Sequence, residues 1–134
     1  MKVDLKEMQK EAERIIELER KLDSLHPFSE EDEKDLKRMA DEGSPRMMFD
    51  YGVYLFRNAK TFEDMNIARS YLDKAKKDGN AYLLFRMSHF YASVNDQEES
   101  MSCLKRAAWR KHPIAIRMLK TMKENPFVDE SASA

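Results

Sequence analysis

Glycine and proline are scarce in this chain, with three and four residues among 134. A many-stranded β fold needs such residues at its frequent turns, so their scarcity argues for packed helices. A lone cysteine, Cys103, cannot form an internal disulfide and points to a reducing compartment, the cytoplasm or the nucleus. It reads as a small buried residue and not as a reactive thiol. No stretch approaches the ~18 consecutive apolar residues of a membrane span. The opening Met1-Lys2-Val3-Asp4-Leu5-Lys6-Glu7 turns charged at once and lacks a signal peptide's apolar core. Also missing are a P-loop, a dinucleotide glycine motif, a His-Glu-x-x-His pair and a Cys-x-x-Cys pair. His26, His89 and His112 stand apart in sequence and suggest no metal site; His26 and His112 read as helix-boundary residues. The acidic run Glu30-Glu31-Asp32-Glu33 reads as a solvated helix start favoured by the helix dipole. These absences point away from an enzyme, and no cofactor or metal is implied.

What is present is charge and helical period. Charged residues make up 37% of the chain against 42% hydrophobic, the balance of a soluble helical protein. The net charge of −1 hides an uneven spread: residues 1–43 hold nine Lys/Arg and fourteen Asp/Glu, and residues 44–123 hold fifteen and eight. Residues 124–134 add three acids and no base. Leu5, Met8, Ala12, Ile15, Ile16, Leu18, Leu22 and Leu25 fall largely at steps of three and four, which predicts an amphipathic helix over 3–25 that His26-Pro27 ends. Ser29 opens a second helix in a capping-box-like start and Gly43 stops it. Ser44-Pro45 starts a third, to about Asn58; Thr61 opens a fourth, which Gly79 closes. Asn80 caps a fifth to about Val94, and Asn95 or Asp96 caps a sixth ending near Lys111. His112-Pro113 starts a seventh, ended by Asn125-Pro126, and a disordered tail is expected over 124–134.

The third, fifth and seventh helices begin at Pro45, Ala81 and Pro113, a recurrence in the range of two-helix repeats. Residues 68–79 align with 100–111, matching small residues at Ala68/Ser100 and Ala75/Ala107 and leucines at Leu72/Leu104. Met47, Tyr51, Gly52 and Leu55 align with Leu83, Met87, Ser88 and Tyr91. Ala115, Leu119 and Lys120 continue the series. This arrangement resembles the Sel-like repeat, a relative of the tetratricopeptide repeat, over about residues 44–123. The chain departs from that pattern at Met47 and Leu83, where alanine is usual, and at Ser88 and Lys120, where glycine is usual. The resemblance implies an all-α fold, a short α/α superhelix of hairpins with about seven helices. It would be a single helical-repeat domain over 1–123: an N-terminal hairpin (1–43), repeat 1 (44–79), repeat 2 (80–111) and a terminal capping helix (112–123).

It also implies that the first helix of each pair lines a concave groove that captures a peptide or partner helix. Carried over residue by residue, it points Arg46, Phe49, Asp50, Val53, Phe56 and Arg57 into the groove from the third helix. Tyr82, Phe85, Arg86 and His89 would follow from the fifth, and Arg117 and Thr121 from the seventh. Independently of the family, Arg46, Phe49, Asp50, Val53 and Arg57 share one helical face. Aromatics beside arginines are the mixture enriched at binding hot spots, and the arginine fork suits carboxylates, so an acidic or C-terminal peptide is the expected partner. The rival is nucleic acid along Lys74, Lys76, Lys77, Lys105, Arg106, Arg110 and Lys111, with Tyr71 and Trp109 as stacking rings. The near-neutral total charge weighs against it. A third alternative is a subunit of a larger assembly joined through the solenoid's ends. The first helix packs as an ordinary hairpin partner, or pairs with a second copy through Leu5, Met8, Ala12 and Ile15, so monomer and homodimer both stay open.

Overall fold

Seven α-helices and no strand are found among the described residues of the computed structural model, which are residues 4–124. They are α1 (Leu5–Asp23), α2 (Glu30–Asp41), α3 (Pro45–Asn58), α4 (Phe62–Asp78), α5 (Ala81–Ser93), α6 (Gln97–Trp109) and α7 (Pro113–Thr121). The all-α class with seven helices is therefore as the sequence predicts. The expectation for the tail lies, from Asn125 on, outside the described residues. Among the described residues no helix is long and apolar enough to cross a membrane.

Helix starts follow local cap chemistry. Ser29 accepts the Asp32 N–H at 3.0 Å while Asp32 Oδ2 accepts the Ser29 N–H at 2.9 Å, a complete capping box. Asn80 Oδ1 accepts from Leu83 N at 2.9 Å, and Asp96, not Asn95, caps α6 through Glu99 N at 3.1 Å. The ends of α3 at Asn58 and of α4 before Gly79 are as the sequence predicts, whereas those of α1 and α7 differ. The first helix stops at Asp23 and the seventh at Thr121, short of the prolines expected to end them. In both, a left-handed residue does the work: Leu25 (φ 57°) and Lys123 (φ 60°), with Asn95 (φ 62°) and Lys111 (φ 73°) doing the same after α5 and α6. In each case the next N–H reaches back into the helix: His26 to Lys21 O, Asp96 to Tyr91 O, His112 to Ala107 O and Glu124 to Leu119 O. These are Schellman closures made without glycine.

The described helices fall into two compact units, Met1–Tyr71 and Leu72–Ala134. In the first, Leu18 and Leu22 of α1 join Leu36, Met39 and Ala40 of α2 and Met47 and Tyr51 of α3 in one buried cluster. Asp32 is the polar tie of that hairpin. It takes Arg14 Nη2 at 2.7 Å and Lys21 Nζ at 2.7 Å, and Arg14 Nε also donates to Asp35 at 2.8 Å. Burial pushes the Asp32 carboxyl up, but Lys21, the Ser29 N–H and Arg14 outweigh it and hold the group well below the usual carboxylate range. The first helix is thus a hairpin partner of α2. Its apolar stripe divides: Ile15 packs on the core, whereas Leu5, Met8, Ala12 and Ile16 are exposed.

In the second unit Leu84 of α5, Leu104, Ala107 and Ala108 of α6, and Ala115 and Leu119 of α7 form the core. At Ser88 the two helices of the α5–α6 hairpin exchange bonds: Ser88 Oγ donates to Ser100 O at 2.9 Å, and Ser100 Oγ donates to Ser88 O at 2.8 Å. A small side chain here permits that approach. Gly79 is needed for a similar reason, since an added Cβ would sit 2.7 Å from the Ala75 carbonyl oxygen. Lys76 ties the last turns of α4 to α6 through Glu99 (3.1 Å) and Ser102 (2.8 Å). Cys103 is fully buried, and burial pushes its thiol up to about 12.

Candidate protein-binding surface

The two sequence-aligned sets of groove positions have different fates. On α3, Phe49 is 4% exposed, Asp50 1% and Val53 5%, so these three are packed inside and are not presented to a guest. The helical period that grouped them on one face says nothing about whether that face is covered. Phe56 is half-buried. Arg46 and Arg57 are exposed, and both reach α1. The Arg46 guanidinium grips the Glu19 carboxylate with two N–H groups, one from Nε to Oε2 at 2.8 Å and one from Nη2 to Oε1. Arg57 Nη1 donates to the Leu22 carbonyl at 2.8 Å, capping the end of α1.

On α5 the aligned positions are open. Tyr82 is 71% exposed and His89 is exposed, with Phe85 and Arg86 half-buried between them. At steps of three and four, these four residues occupy one side of α5. Their aromatic members are ordered by a residue the sequence reading had placed only at a helix boundary. His112, the N-cap of α7, stacks on Phe85 (ring centroids 4.3 Å, 19°) and meets the edge of Tyr82 (5.2 Å, 71°). His89 meets Phe85 at 4.6 Å and 86°. His112 Nδ1 accepts the Ala115 N–H at 3.2 Å, which fixes the ring and requires that nitrogen to be unprotonated. Burial lowers the His112 pKa below its ordinary value, in keeping with that bond. The only sequence signal for this role was the His-Pro start of α7. Arg117 and Thr121, on α7, are exposed, and the Thr121 hydroxyl turns back to the Arg117 carbonyl at 3.0 Å.

Three of the seven basic residues proposed for nucleic acid have partners within the fold. Lys76 holds Glu99, Lys105 lies 3.9 Å from Glu124, and Arg110 Nη1 donates to the Gly79 carbonyl. The Tyr71 hydroxyl donates to Asp41 at 2.7 Å and its ring meets Tyr51 edge-on, so it is not a free stacking surface. Trp109 is exposed at the end of α6. No protein-family model, no curated protein and no solved structure matches the chain, so the Sel-like resemblance rests on the residues quoted for it.

Proposed function

We propose that this chain is a non-enzymatic interaction module of the Sel-like kind, which holds an acidic peptide or partner helix on the open side of α5. The observation that carries this reading is the ordered aromatic group Tyr82–His112–Phe85–His89, with Tyr82 mostly in water. A large amphipathic ring held at a surface offers contact area at little entropic cost on binding. Residues 72–124 carry eleven Lys/Arg against six Asp/Glu, which favours an acidic partner. The reading assigns no catalytic group, cofactor or metal. Affinity capture with the whole chain, followed by calorimetry on the partner recovered, tests it. A Tyr82→Ser/Arg117→Glu variant should bind at least about tenfold more weakly, the direction set by loss of an aromatic anchor and reversal of a charge. Unchanged affinity would remove α5 from the interface.

Self-association is a second reading, supported by the exposed Leu5, Met8 and Ile16 on α1. A dimer through that helix predicts concentration-dependent mass in sedimentation equilibrium, abolished by Met8→Lys with Ile16→Glu. A constant monomer mass in the wild type would exclude it.

A further inference from the structure

In the first unit α1 and α3 end beside one another, and the turn after α1 walls a concavity of about 330 Å³. Three basic residues, Lys21, His26 and Arg57, line it together with Leu22, Phe28 and Tyr54, and no acidic residue does. That composition stands out because residues 1–71 carry seventeen Asp/Glu and thirteen Lys/Arg. Lys21 is held by Asp32 at 2.7 Å. Arg57 differs from Arg14, Arg38 and Arg46 of the same unit, each of which pairs with a carboxylate. Its one bond runs from Nη1 to the Leu22 carbonyl, leaving the rest of its N–H fork to a ligand. His26 has Nδ1 tied to Ser24 Oγ at 3.1 Å, so Nε2 is the ring's remaining polar atom.

The opposite wall is apolar and stiff. Phe28 and Tyr54 stack with centroids 4.8 Å apart at 17°, and the Tyr54 hydroxyl is steadied by Glu33 at 3.3 Å. The volume lies at the lower end of ligand pockets, ~300–1,000 Å³, enough for one side chain and a terminal group. Two helix C-termini meet here, and their partial negative charge favours cationic side chains such as Lys21 and Arg57 at this wall. Arg57 offsets the end of α1, and the planar fork it keeps matches the bidentate geometry of a carboxylate.

We propose that this concavity binds the C-terminal residue of a partner peptide, with its apolar side chain against Phe28 and Tyr54 and its α-carboxylate on Arg57 beside His26. That the ligand is a peptide rests on the interaction-module reading; that it is an apolar monoanion rests on the wall itself. All the lining residues belong to the first unit, so binding here can be read apart from binding on α5.

The test uses the whole chain, labelled with ¹⁵N and titrated with three probes: acetyl-Ala-Ala-Ala-Leu with a free carboxylate, the same peptide as its C-terminal amide, and acetyl-leucine. The acid peptide should shift the Arg57 Nε–H, Phe28 and Asn58 signals and bind at least about tenfold more tightly than the amide, as loss of the charge-assisted pair requires. It should also bind more tightly than acetyl-leucine. Arg57→Gln should weaken the acid peptide to the level of the amide. Because that change also removes the α1 cap, Leu25→Asp serves as the second variant. Leu25 is 73% exposed on the pocket wall at φ 57°, a conformation aspartate tolerates, so the fold should persist while the added charge repels the carboxylate. Equal binding of acid and amide, or no shift at millimolar peptide, overturns the proposal. Shifts confined to Tyr82, Phe85 and His89 overturn it too, while leaving the α5 reading intact. Acetyl-leucine binding as tightly as the peptide would assign the pocket to a small carboxylate and overturn the peptide assignment.

Discussion

Replacing Asp32 by alanine would take the buried carboxylate from Arg14 and Lys21, which keep Asp35 and Glu17, and undo the capping box of α2 at once. Loss of the cap costs about 0.5–2 kcal/mol and loss of the charge-assisted bonds about 1.5–3 kcal/mol, so urea denaturation of this variant should show an earlier midpoint. The same carboxylate sets an acid limit. Its folded-state pKa is depressed, so its contribution is complete above the ordinary ~3.9 and is lost as pH falls below that value toward the folded one. His112 should act in a different window. Its folded-state pKa is also depressed, but here the neutral form is the native one. Its contribution is complete above the ordinary imidazole value of ~6.5 and declines as pH falls below it, because the unfolded chain takes up the proton first. Thermal melts between pH 7 and 5 should show that decline in the wild type and lose it in His112→Asn, which keeps an N-cap acceptor without the titration. An unaltered slope in the variant would assign the dependence to another group.

At the scale of the helix, the contact between α5 and α6 is set by the smallness of Ser88. Ser88→Ala deletes one hydrogen bond and should cost about 1 kcal/mol, whereas Ser88→Leu must also force the helices apart, about 1–3 kcal/mol more by the usual cost of overpacking. Comparing the two midpoints checks this; equal losses would mean the helices are not in close contact there. Helix starts were legible in the sequence because their chemistry is local: Ser29, Ser44 and Asn80 each accept an N–H two or three residues on, and Pro45 and Pro113 can only begin a helix. The ends of α1 and α7 were not. Leu25 and Lys123 adopt a conformation that side chains ordinarily avoid, and nothing in leucine or lysine announces it. The prolines two or three residues beyond drew the boundary too far. Burial recurs between the aligned copies, with Met47 and Leu83, Leu72 and Leu104, and Ala75 and Ala107 all inside. The candidate surface was less legible. Phe49, Asp50 and Val53 occupy the same helical face as Arg46, and periodicity cannot say which part of that face another segment will cover.

For the molecule as a whole, the first helix is a structural necessity for its unit. A chain starting at Ser29 would lack Leu18 and Leu22, each worth about 1.5–3 kcal/mol of burial, and would open Leu36, Met39 and Tyr51 to water. Loss of the cooperative unfolding transition of that unit is the expected result, measurable by hydrogen exchange. A well-protected α2–α3 pair in the truncated chain would show that α1 serves another purpose. The Schellman closures carry a different implication, one for anyone wishing to use the protein as a scaffold. Three helices end on side chains, Leu25, Lys111 and Lys123, that pay a steric penalty glycine would not incur, of about 1–2 kcal/mol. Part of the gain from glycine is returned through a more flexible unfolded chain. Even so, Lys123→Gly touches no core contact and lies away from the pocket that Leu25 lines, so it offers a route to greater heat tolerance that leaves that site as nature drew it.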